Sequence, residues 1–94
     1  MPITSSDRVI RTNGLLSASI DNDLMILNMQ TNNYIALDEI GSRIWDLIEV
    51  PLLVSDLCVQ LAGEFQAQPN QIEADVLGFL NELQTETLVN VVTG

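Results

Sequence analysis

Residues 34–49 read Tyr34-Ile35-Ala36-Leu37-Asp38-Glu39-Ile40-Gly41-Ser42-Arg43-Ile44-Trp45-Asp46-Leu47-Ile48-Glu49. The hydrophobic pattern changes period inside this stretch. Tyr34 to Leu37 reads as a short strand. After Asp38, the apolar residues Ile40, Ile44, Leu47 and Ile48 recur at i, i+4, i+7 and i+8, the stripe of an amphipathic helix. Asp38 is the only punctuation between the two and is placed to cap the helix. Gly41 costs a helix about 1 kcal/mol relative to Ala. It lies one turn before Trp45, so the expectation is that it makes room for the indole. Pro51 stops the helix.

Upstream, Leu15 to Ile20 alternates, with Leu16, Ala18 and Ile20 on one face and Ser17 and Ser19 on the other. Asp21-Asn22-Asp23 is a tight polar loop. Leu24 to Met29 is more continuously apolar, as suits a central strand. Gln30-Thr31-Asn32-Asn33 is a second turn, built from residues that tolerate left-handed backbone. Two short loops in succession predict an antiparallel meander ending at Leu37. Arg8 to Arg11 reads as a short strand or an extended edge segment, and Asn13-Gly14 as a turn. Residues 1–7 are expected to be a loose leader.

Downstream, a second helix is expected to start near Ser55, with the Ser55 hydroxyl as cap. Leu57, Cys58, Leu61, Ala62 and Phe65 form its buried face. Pro69 suits the first turn of a third helix, in which Ile72, Val76, Phe79, Leu80 and Leu83 form one stripe, ending near Glu86. Leu88-Val89 and Val91-Val92 return to the core. The expected architecture is α+β: a three-stranded antiparallel sheet followed by three helices, in one domain spanning 1–94.

Composition narrows the function. Thirteen acids stand against Arg8, Arg11 and Arg43, with no Lys and no His, for a net charge of −10. Such a surface repels phosphate, which argues against nucleic acid and against an anionic membrane. Without His, the single Cys58 has no imidazole base, so it reads as a small buried hydrophobe. No catalytic or metal-ligating constellation stands out, and neither enzyme activity nor a cofactor is expected. No signal segment or membrane span is legible, so the expected location is the cytoplasm.

In a meander of this order the third strand lies at an edge and carries no Lys, no Pro and no charge before Asp38. Edges of this kind are usually protected. Either its brevity suffices or Arg8 to Arg11 pairs with it, or the edge is kept open to accept a peptide strand.

The ordered set Tyr34, Leu37, Ile40-Gly41, Ile44-Trp45, Leu47-Ile48, Val54, Leu57, Leu61, Glu64-Phe65, Asp75-Val76, Phe79-Leu80 and Leu83 resembles the PqqD family, the recognition elements for ribosomally made, modified peptides (RiPPs). The likeness runs over roughly residues 15–92. Two positions depart from the pattern. Thr87-Leu88 stands where many members have Gly-Leu, and Leu53 stands where a capping Thr is common. The resemblance implies a winged-helix-like domain that binds the leader of a precursor peptide as an added strand, in a groove walled by the third helix. It implies a leader peptidase as partner in a lasso-peptide pathway. The alternative within the family is the peptide chaperone of pyrroloquinoline quinone biosynthesis. On this reading the backbone of Tyr34, Ile35, Ala36 and Leu37 supplies the ladder, Val76, Phe79, Leu80 and Leu83 the apolar wall, and Asp75 meets a basic or hydroxyl-bearing leader residue. An acyl-carrier protein matches in size and acidity. However, Ser55-Asp56-Leu57 is not the Asp-Ser-Leu of a carrier, and carriers lack strands.

Overall fold

A computed structural model describes residues 2–21 and 23–92. The chain runs β1 (Arg8–Arg11), β2 (Leu16–Ile20), β3 (Asp23–Asn28), β4 (Asn33–Leu37), α1 (Glu39–Leu47), β5 (Leu52–Leu53), α2 (Val54–Phe65), α3 (Pro69–Thr85) and β6 (Val89–Val92). The α+β meander expected from the alternation is present: β3 is central and pairs antiparallel with β2 and β4. The turns use left-handed residues where the sequence offers them, at Gly14 (φ 81°) and Asn32 (φ 60°).

A second small sheet was not legible in the sequence. In it β1 lies between β5 and β6, antiparallel to both. Arg8 to Arg11 therefore does not pair with β4; its partners come from the stretch after Pro51 and from the C-terminal strand.

The N-terminal segment also departs from the loose leader expected for 1–7, of which Met1 lies outside the described residues. Ile3 is 3% exposed and sits in the core. Its N–H donates to Asn81 Oδ1 at 2.8 Å, and Asn81 Nδ2 donates to the Leu77 carbonyl, which locks the amide in place. The same segment explains the start of α2. That helix begins at Val54 with Leu53 at the N-cap and no side-chain cap, so Ser55 does not play that part. Instead Val54 N–H donates to the Asp7 carbonyl at 2.9 Å and Ser55 N–H to the Ser5 carbonyl at 3.1 Å. Two of the orphan donors of the helix end are thereby satisfied by backbone.

The remaining helix ends follow the sequence. Asp38 Oδ1 accepts from Gly41 N–H at 2.8 Å and caps α1. Pro69 occupies the first turn of α3. Ile26, Leu37, Ile44, Ile48, Leu57, Leu61, Leu80 and Leu83 form the center of one core, with Trp45 only 4% exposed beside them. Arg11 stacks over the indole, 5.4 Å from its centroid, and donates to the Trp45 carbonyl.

Candidate functional site

The free side of β4 has no strand partner among the described residues. Every second residue of an antiparallel edge strand directs its N–H and C=O outward, so Asn33–Leu37 offers an unfilled ladder.

The C-terminal helix runs alongside that edge. At one end Asn33 Nδ2, at the start of β4, donates to Glu86 Oε2 just past α3, at 3.2 Å. At the other end the Phe79 ring lies against the first turn of α1. A Cβ placed on Gly41 would stand 3.3 Å from Phe79 Cζ, and equally close to Leu37 Cβ and Asp38 Oδ1. Gly41 thus makes room for Phe79 from another helix, not for Trp45 one turn away. Between α1 and α3 this leaves a cavity of about 190 Å³, with Ile40, Ile44, Ile72, Val76 and Phe79 as its apolar lining and Asp38 and Asp75 as its carboxylates.

Asp75, Phe79, Glu82 and Glu86 recur at steps of four, three and four, which is one stripe of a helix. Since Asp75 and Phe79 line the cavity and Glu86 meets Asn33, this stripe follows the β4 edge. The wall facing that edge is one aromatic ring among acids. None of the arginines lies on it: Arg43 is held by Glu64 at 2.8 Å, Arg11 faces Trp45 and Glu49 (3.6 Å), and Arg8 is in β1. The hydrogen bonds from Arg43 and Gln60 hold the Glu64 carboxyl down at about 2, against an ordinary 4.5. Burial pushes the Cys58 thiol up, as suits an inert core residue.

Of the residues singled out from the sequence, Tyr34 (70% exposed) and Ala36 are open to solvent, Ile35 is half-buried and Leu37 is buried. Asp75, Val76 and Phe79 come together at the cavity. Leu80 and Leu83 do not join them. Both are 0% exposed, so the apolar wall expected from them is core instead. A helical stripe as broad as theirs must cover the core first, and only its flank at Ile72, Val76 and Phe79 reaches the groove. Ile40, Ile72, Glu82 and Glu86 were missed. The i, i+3, i+7 spacing from Phe79 carries the signal for the two acids; nothing in the sequence pairs Ile40 with Ile72.

The family model for coenzyme PQQ synthesis protein D (PqqD) matches residues 23–89. The chain belongs to the PqqD family. No curated protein sequence matches it. Among solved structures, this PqqD-family chain is similar to TbiB1, solved in complex with the TbiA(beta) leader peptide. The identity is 28%, with 90% of this chain and 99% of that one covered and a TM-score of 0.78. It also shares its fold with the PqqD truncation of Methylobacterium extorquens PqqCD, described as a functional, stand-alone RiPP recognition element. There the identity is 22%, with 94% of each chain covered and a TM-score of 0.79.

Proposed function

We propose that this chain binds the leader region of a ribosomally synthesised precursor peptide by strand addition to β4 and delivers it to a processing enzyme. The observation that carries this is the open β4 edge, laid beside the α3 groove in a PqqD-family fold. The TbiB1 structure, with its bound leader, supports it. The domain works by binding, with no cofactor, in the cytoplasm. The finer reading is a lasso-peptide precursor, with a separate leader peptidase as the recipient. The description of the family model favours a second reading, a peptide chaperone in pyrroloquinoline quinone biosynthesis. The two differ in which precursor binds.

Ladder bonds to Tyr34–Leu37 are nearly independent of peptide sequence, so selectivity rests on side chains. The α1–α3 cavity takes an apolar leader side chain against Phe79, Ile40 and Ile72. Asp75, Glu82 and Glu86 along the groove favour Lys or Arg at the leader positions beside them.

Ordering a flexible leader costs about 2–5 kcal/mol, which the apolar anchor has to offset. Phe79→Ala removes that anchor from a half-buried position while leaving the core in place. The expected result of titrating this variant with fluorescent leader is a loss of at least tenfold in affinity, with a native circular-dichroism spectrum. Unchanged affinity in the folded variant sinks the groove assignment.

A further inference from the structure

The register of the meander sorts its side chains into two faces. Ser17, Ile26 and Ile35 form one row across the sheet and Ser19, Leu24 and Leu37 the next; Ile26 and Leu37 on this face are in the core. The opposite face carries Leu16, Leu27 and Tyr34 in one row, Ala18, Met25 and Ala36 in a second, and Ile20 opposite Asp23 at the end. No described segment covers it. Leu16 is 53% and Ile20 58% exposed, and they line a shallow apolar concavity of about 610 Å³. A half-solvated antiparallel sheet normally turns polar residues outward. Here the serines of β2 are on the other side.

We infer that this face is the docking surface for the protein that acts on the loaded peptide, and that this partner presents an apolar patch rimmed by Lys or Arg. The inference rests on strand addition to β4. Tyr34 and Ala36 belong both to this face and to the open edge, so a peptide strand on β4 sets alternate side chains beside them and extends the same face. Size then decides the order of events. The outer strands lie about 10 Å apart and the rows run about 17 Å along them. That footprint is well below the roughly 800 Å² per partner of a stable interface. A fourth strand widens it, so the loaded form binds the partner more tightly than the empty one. Charge chooses between a second copy and a different protein. A second copy brings another −10, with Asp23 again opposite Ile20 at the end of the face. A basic rim is attracted to the same acids.

The test uses a purified leader peptidase as the probe, with leader present and absent. Ala18→Arg and Leu16→Ser change exposed positions of β2, away from both the core and the β4 edge. Each is expected to bind leader as the unaltered protein does, and to bind the enzyme at least tenfold more weakly. Leader is expected to tighten enzyme binding to the unaltered protein. If leader binds but both variants hold the enzyme normally, the inference falls alone. It also falls if leader has no effect on enzyme binding, or if sedimentation shows a dimer that Ala18→Arg dissociates. If leader does not bind the unaltered protein, strand addition itself fails.

Discussion

Thr87 adopts φ 60°, the left-handed region that a β-branched residue avoids. It does so because α3 ends in a Schellman turn. Thr87 N–H donates to the Gln84 carbonyl at 3.0 Å, Leu88 N–H donates to the Leu83 carbonyl at 2.8 Å, and both leucines are buried. Glycine is the usual residue at such a position, and the Gly-Leu of many family members fits this turn; here the packing of Leu88 holds it with Thr. Thr87→Gly relieves about 1–2 kcal/mol of left-handed strain and adds some 0.5–1 kcal/mol of unfolded-state entropy. The expected net gain is roughly 0.5–1 kcal/mol in urea denaturation; a loss of stability contradicts the strain. Glu64 offers a second residue-scale test. Its folded pKa of about 2 lies below the ordinary 4.5, so the stability that its bond to Arg43 contributes is fully present above about 4.5 and is lost as pH falls toward 2. The Glu64 carboxyl signal in an NMR titration is expected to move near pH 2, and a midpoint near 4.5 means that the bond is not held in solution. Gly41 shows the limit of reading residues in sequence. Its neighbour one turn along was Trp45, but the contact that needs the missing Cβ comes from Phe79, 38 positions away.

At the scale of elements, the meander and the helices were legible because each writes its period locally. The sheet of β1, β5 and β6 was not, because β5 is two residues long and its partners are distant in sequence. For the same reason the capping of α2 escaped, although its start near Ser55 did not: the donors at Val54 and Ser55 are satisfied by Asp7 and Ser5, and nothing around Leu53 says so. Ile3 anchors that segment. Ile3→Ala is expected to cost roughly 2–5 kcal/mol by thermal or chemical unfolding, the range for truncating a buried Ile. A truly loose leader gives no change.

Across the whole molecule, alternation in β2 said that two faces exist and not which one the helices cover. Register decides that, and register is set by the pairing with β3. The edge strand was legible as an edge, since chain order put it there. What walls it was only half legible: Asp75, Val76 and Phe79 are at the groove, whereas Leu80 and Leu83 are spent on the core. The described residues form one buried core and leave the β4 edge and the outer face of its sheet unfilled.

Strand addition to β4 is the central claim, and amide hydrogen exchange measures it directly. With saturating leader, alternate amides of Asn33–Leu37 on the open side are expected to slow at least tenfold, while those of β2 remain as they were. Leader bound at the same affinity with unchanged exchange along β4 would contradict the account.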